Sequence, residues 1–569
     1  MERQIFVGDR PEKNLRSREY WVEWLWILGL FLAALVLFGT NLNNLPLQDG
    51  DEGMIAQVAK EIHLAPQGSR QWLFPTLWKI PYLHNPPLIQ SLIAILYSWF
   101  GVDEWTTRLP TALLTAISVP FVYSIGREIF SNRIPGIFAA LIYLTFLPVI
   151  CYGRLAILEG PLLCFETLTI LCILRSRRDL RWTLLAGVGF GLMFLVQKTE
   201  GLLIGAIILV FLAWDTPRLL SSLYLWLGLL LGSMPLIFWY VAQSLHYGLP
   251  LISKIAIGQY FQATWQNLAT HNTYPLYHLG EILKYSWPWL FFSLYGLKQA
   301  WIDRTWGWAK LVLVWTIFYF VAASFFLSAT PGNILPIYPS LALAGGAQLA
   351  QIYTLPSFSV YPRSWTVIFG LLALLSGSAS IYFGITYSAD SSLVIIFASL
   401  ALTFGVVAIL IERQDRQFMT MLFWGMYISL LLLVLSPHWI GQLNNIYPVE
   451  KLARVIKSSV PTNQLIYTSS EFSSALNFYS DHQIIALSPS KQDELRISWL
   501  ERHWKKAPES SPQEIKHYWL KQHWNLEPKP YLLLDYKTFK DLALLNVKEL
   551  ADISPEWKLL SKDRFKLEN

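Results

Sequence analysis

The chain has 569 residues, of which 54% are hydrophobic, 15% aromatic and only 14% charged, where an ordinary soluble domain carries about 25% charge. That composition excludes a wholly water-soluble globular protein. The formal net charge of +6 does not point to nucleic acid, because the basic residues lie in short loops between apolar runs and form no patch interleaved with stacking aromatics.

In chain order, Arg3, Arg10, Lys13, Arg16 and Arg18 precede a first apolar run with no small-residue cleavage site after it, which reads as an uncleaved span behind a cytoplasmic segment 1–20. Apolar runs of about 20 residues, enough to cross roughly 30 Å of hydrocarbon, recur up to residue 436. We place spans at 21–39, 106–126, 134–152, 160–175, 182–197, 201–214, 219–241, 284–299, 309–328, 333–352, 364–386, 392–411 and 418–436. The fold class expected is a polytopic α-helical membrane protein of about 13 transmembrane helices over 21–436, with a small soluble α/β domain over 437–569.

An odd span count puts the two termini on opposite sides. With the N-terminus cytoplasmic, the loops holding Arg127 and Arg133, Arg175 to Arg181, Arg218, Lys298 to Lys310, Arg363, and Arg413 with Arg416 all fall inside, in agreement with the excess of Lys and Arg in cytoplasmic loops. Residues 40–105, 242–283 and the C-terminal domain are then extracytoplasmic, and the stretch from Pro86 to Phe100 reads as a helix along the interface. Cys151, Cys164 and Cys172 fall in or beside spans, with no CxxC motif, and read as packing residues.

Candidate chemistry gathers on the outer side. Asp49-Gly-Asp51-Glu52-Gly leaves the first span and opens an amphipathic helix from Asp51 to Ile62. A carboxylate there could be a general base or a metal ligand, and the bland alternative is that Asp49 or Asp51 is its N-cap and Glu52 complements its dipole. Arg154 and Glu159 occupy one short outer turn, and Lys198 and Glu200 another. Basic residues on that side are unexpected unless paired or used on an anion; surface pairing and snorkelling are the structural alternatives. In the C-terminal domain, strands are expected at Gln464 to Thr468, Ile484 to Leu487 and Pro530 to Asp535, and a helix from Val449 to Ser458.

Further motifs run in order: Tyr82-Leu-His-Asn-Pro-Pro87, Arg108-Leu-Pro, Gly153-Arg-Leu-Ala-Ile-Leu-Glu-Gly-Pro161, Lys198-Thr-Glu-Gly, His271-Asn-Thr-Tyr-Pro275, Trp287-Pro-Trp289 and Leu335-Pro-Ile-Tyr-Pro339. With the acidic motif, this ordered set resembles the membrane glycosyltransferases that include protein O-mannosyltransferases and the bacterial aminoarabinose transferase acting on lipid A. The resemblance implies a GT-C fold, a polyprenyl-phosphate-type sugar donor and extracytoplasmic transfer to a lipid, glycan or protein acceptor, in the inner membrane. It implies Asp51 as the catalytic carboxylate, with Glu52 in the same acidic motif and Glu159 where the family usually has a second Asp. Lys198 matches the family's basic residue near the donor phosphate, with Arg154 a second cation. Asn85 stands where relatives commonly carry Lys. Tyr82, His84, His271 and Glu200 are the expected substrate-binding residues. A divalent metal between His84 and His271 is conceivable, against the simpler reading of hydrogen-bonded imidazoles; no other cofactor is expected. The rival classes are a flippase or transporter of lipid-linked glycans, which often shows repeated halves or mid-membrane charges, and a non-catalytic assembly protein.

Overall fold

The computed structural model describes residues 16–66, 68–78, 80–248, 276–355, 361–386, 391–440, 449–461, 464, 466–468, 474–486, 531–535, 547–554 and 557–562. They belong to two compact units. One comprises 1–44, 68–75 and 82–440, and the other 45–67, 76–81 and 441–569.

In the larger unit each of the thirteen apolar runs is helical over most of its length. Among the described residues, seven helices are long and apolar enough to cross a membrane. The pair Ile134–Leu144 and Leu147–Arg154, bent by 58°, makes an eighth if it is one span; the break lies just before Pro148, which has no N–H to continue the ladder. The chain is therefore an integral membrane protein, with seven or eight helices among the described residues that have the length and composition of spans. The expected interfacial stretch is a helix, Leu88–Phe100.

Packing in this unit uses small residues where backbones meet and leaves apolar side chains on the outside. Gly187 and Gly191 of helix Trp182–Val196 face Gly228 and Gly232 of helix Leu223–Tyr247, and a Cβ added at Gly187 or Gly191 would lie within 1.9 Å of the opposing backbone. Such small-xxx-small contacts let membrane helices approach closely without a hydrophobic driving force. Leu371, Leu374, Leu375, Ile381 and Leu402 of helices Arg363–Thr386 and Ser391–Glu412 are exposed, as lipid-facing residues should be. The basic loops expected on one side converge: Arg127 pairs with Glu23 at 3.0 Å, Arg178 with Glu128 at 2.8 Å, and Arg177 and Lys310 both pair with Asp215.

The smaller unit has a five-stranded sheet in the order Ile484–Ala486, Ile466–Thr468, Tyr531–Asp535, Trp557–Lys562, Val547–Ser554. The first three strands are mutually parallel and the last two pair antiparallel. Leu452, Ile456, Ile466, Leu476, Ile484 and Leu533 form its buried core, with helix Val449–Ser459 contributing the first two. The parallel strands and that helix match the sequence reading; the C-terminal hairpin and helix Ser474–Ser480 were not foreseen.

Residues 45–67 and 76–81 also belong to this unit, so the expected outer loop 40–105 is not one structural piece. Helix Asp51–Leu64 packs so closely on Ser474–Ser480 that a Cβ on Gly53 would lie 2.5 Å from Ala475 N and 2.8 Å from Ser474 C. Lys60 donates to Phe478 O at 2.9 Å and pairs with Asp481, and Tyr479 Oη accepts from Leu47 N at 2.8 Å. Because the obstacle at Gly53 is backbone, Gly53→Ala is expected to destabilise this unit by about 1–3 kcal/mol, the usual range for overpacking. Limited proteolysis under a thermal ramp measures it, and an unchanged midpoint would contradict the close approach.

Candidate active site

In the acidic motif, each residue has a distinct local task. The N-cap of helix Asp51–Leu64 is Gly50, with φ 88° and ψ −128° and no side-chain cap bond, a conformation readily adopted only by glycine. Neither Asp49 nor Asp51 is therefore the N-cap, contrary to the sequence reading. Asp49 Oδ1 instead accepts from Ala475 N at 2.9 Å, at the start of helix Ser474–Ser480. Burial pushes the Asp49 carboxyl above its usual range, and hydrogen bonds from Ala475 and Ser474 partly offset that. Glu52 is buried and accepts from Gln48 N at 2.7 Å. That bond holds the loop entering the helix. Asp51 occupies the first helical position and is exposed.

In the larger unit, Lys198 opens helix Lys198–Asp215 and is buried. Its ammonium donates to His84 O at 2.7 Å and lies 5.1 Å from the Tyr240 ring centroid. The Tyr82 and His84 rings are 5.6 Å apart. Tyr82 is buried, His84 exposed and Asn85 half-buried. A buried cation at the end of an apolar span, tied to the segment carrying His84 and Asn85, is suited to an anionic group. Glu200, in the same first turn, is also buried. Glu159 begins helix Glu159–Arg175 half-buried, with Gly332 against its carboxylate.

Arg154 is not in an exposed turn. It is fully buried, with its terminal nitrogens donating to Leu37 O and, at 2.5 Å, to Thr40 O. Its guanidinium lies 4.4 Å from the Trp439 ring centroid, and that of Arg108 lies 5.4 Å from the same ring; Arg108 also donates to Leu42 O at 2.7 Å. Carbonyls at the end of helix Arg16–Gly39 have no intrahelical donors, and a buried arginine fork over an indole satisfies them. The unexpected outer cation thus caps the first helix, and neither surface pairing nor snorkelling describes it.

His271 lies outside the described residues, so the proposed His84–His271 metal pair has no geometry here. Among the described residues, no three His, Cys, Asp or Glu side chains gather as a metal site. Sequence reading passed over Glu166, a fully buried carboxyl in helix Glu159–Arg175 that accepts from Trp315 Nε1 at 3.0 Å. Its signal was available, since a carboxylate inside an apolar run is rare.

Comparison with known proteins agrees with this architecture. Residues 84–240 match a family model described as dolichyl-phosphate-mannose-protein mannosyltransferase. Two undecaprenyl phosphate-α-4-amino-4-deoxy-L-arabinose arabinosyl transferases of Pseudomonas fluorescens are each 26% identical to this chain, over 57% and 62% of its length. The chain spans 60% of the length of each. Among solved structures, ArnT from Cupriavidus metallidurans bound to undecaprenyl phosphate superposes with a TM-score of 0.73 at 18% identity, covering 94% of this chain and 98% of that one. The archaeal oligosaccharyltransferase AglB from Archaeoglobus fulgidus, in complex with an inhibitory peptide and a dolichol-phosphate, gives 0.54 at 13% identity, covering 92% and 70%. The fold is that of these two solved structures, and in sequence the chain is similar to the aminoarabinose transferases and, over residues 84–240, to the mannosyltransferase family.

Proposed function

We propose that the protein transfers a sugar from a polyprenyl-phosphate-type lipid to a lipid, glycan or protein acceptor on the extracytoplasmic face. The observation that carries this reading is that the stretch matching the mannosyltransferase family, 84–240, contains His84, Asn85, Arg154, Glu159, Lys198 and Glu200, with Lys198 buried and bonded to His84 O.

The sugar's anomeric carbon is already bonded to a good leaving group. An acceptor hydroxyl or amine attacks that carbon, the bond to the phosphate oxygen breaks with its electron pair, and the lipid phosphate departs as an anion. The protein has two tasks: to hold the reactants in line and to stabilise the charge growing on the phosphate. Lys198 takes the second, with Asn85 donating a hydrogen bond. Asp51 receives the acceptor's proton, which makes the step neutral overall at the acceptor. Glu159 positions the acceptor or shares that role. Direct displacement inverts the anomeric centre. Arg154, its terminal nitrogens engaged by carbonyls, supports the fold at this end.

Orientation has a direct test. A reporter fused after Ser436, or inserted near Gln67, should be extracytoplasmic, and one near Asp179 cytoplasmic; the reverse at Ser436 and Asp179 would overturn the sidedness. For the substrates, mass spectrometry of glycolipids and glycoproteins from cells with and without the gene should reveal one sugar-modified class that disappears with it. Identical profiles would count against transfer.

A further inference from the structure

The Pro331–Ile337 segment is a short turn of 3-10 helix containing two prolines, so part of its backbone cannot enter a regular ladder. Side chains hold it instead. Tyr319 Oη donates to Asn333 O at 2.8 Å, Trp315 Nε1 donates to Pro336 O at 2.9 Å, and Asn333 Nδ2 donates to Ser328 O and Oγ at 3.0 Å each. The same indole N–H is shared with Glu166 Oε1 at 3.0 Å, while the other oxygen of that buried carboxyl has no hydrogen-bond partner among the described residues. Trp315 lies in a π-helical turn, Val314–Phe318, a distortion frequent at functional sites.

This anchored segment meets Glu159. A Cβ added to Gly332 would lie 2.8 Å from Glu159 Oε1, 3.1 Å from its Cδ and 3.2 Å from its Cγ. Glu159 and Glu166 are seven residues apart on one helix, which places them on the same face about two turns apart. One abuts the segment at Gly332; the other reaches it through Trp315. A carboxyl buried at membrane depth is expensive unless it is used, and here its bond to the Trp315 indole ties it to the element bordering Glu159.

We propose that the Pro331–Ile337 segment sets the position of the Glu159 carboxylate, that Gly332 provides the room for its extra methylene, and that Trp315 and Glu166 are positioning residues acting through Pro336. This rests on the reading of Glu159 as a reaction-site residue. The glycine and the long side chain fit together.

The experiment is steady-state sugar transfer by purified full-length variants in nanodiscs, with thermal stability measured alongside. Gly332→Ala meets only the end of a flexible side chain, so it should fold normally yet lower kcat about 10- to 100-fold, as an ångström-scale misplacement does. Glu159→Asp alone should also lower kcat, because it withdraws the carboxylate by one methylene, but adding Gly332→Ala to it should cost little more, because the shorter acid avoids the new methyl. Glu166→Leu and Trp315→Phe should lower kcat while leaving the donor KM unchanged, whereas Glu166→Gln keeps an acceptor oxygen for the indole and should restore it. Parental turnover by Gly332→Ala, a Gly332→Ala effect just as large in the Glu159→Asp background as in the parent, or Glu166→Gln as slow as Glu166→Leu would overturn the proposal. Glu159→Gln separates the two readings. If it is inactive while the Gly332, Trp315 and Glu166 variants are all parental, only the positioning fails; if it is fully active, the site assignment fails with it.

Discussion

Asp51→Asn is expected to lower sugar transfer by about 100- to 10,000-fold, the usual contribution of general-base assistance, while membrane insertion and thermal stability stay close to the parent's. The substitution keeps the volume and removes only the basic oxygen. Capping cannot explain such a loss, for two reasons. Asn and Asp rank together as N-caps, and the N-cap here is Gly50, with Asp51 at the first helical position and no side-chain cap bond. Glu52→Gln is a useful companion, because Glu52 Oε2 accepts from Gln48 N and an amide oxygen can still accept. It should therefore be much milder than Asp51→Asn. Near-parental turnover by purified Asp51→Asn in nanodiscs would defeat the assignment of the base.

Lys198→Ala should weaken use of a lipid-phosphate donor more than it changes stability. Its ammonium donates to His84 O, a bond of the kind worth about 1.5–3 kcal/mol when charged, whereas a donor phosphate would add further charge-assisted bonds, roughly twice as strong as neutral ones. Lys198→Ala is thus expected to raise the donor KM by about tenfold or more, with Lys198→Arg partly compensating through its retained charge. Asn85→Lys should move donor affinity the other way by adding a cation next to His84, whose carbonyl Lys198 bonds. Donor titrations of these variants decide the matter, and unchanged affinity in both Lys198→Ala and Asn85→Lys would remove the phosphate assignment.

Much of the architecture was legible because lipid imposes a simple rule on sequence: every apolar run long enough to cross became helical, and the helix at the acidic motif was read from its 3.6-residue periodicity. The parallel strands and the helix at Val449 were legible from short apolar runs bounded by polar turns. Contacts distant in sequence were not. Asp49 meets Ala475 across 426 residues, so nothing local reveals that it serves the start of another helix rather than its own. Arg154 was conspicuous as a basic residue on the unexpected side, but only the carbonyls of the first helix and the ring of Trp439 give its role. Lys198 was found for the same reason and sits where a buried cation can act. Glu166 was written plainly inside an apolar run; its meaning depends on Trp315 and Pro336, which lie 149 residues away and beyond.

The most direct test of the central claim uses the purified full-length protein in nanodiscs with a polyprenyl-phosphate-linked sugar and candidate lipid, glycan or peptide acceptors, following glycosylated product and free polyprenyl phosphate by mass spectrometry. The account predicts one mole of polyprenyl phosphate released per mole of sugar transferred, with inversion at the anomeric carbon and loss of both signals in Asp51→Asn. Movement of the intact sugar-lipid across the bilayer of sealed proteoliposomes, with no product and no released phosphate, would contradict it.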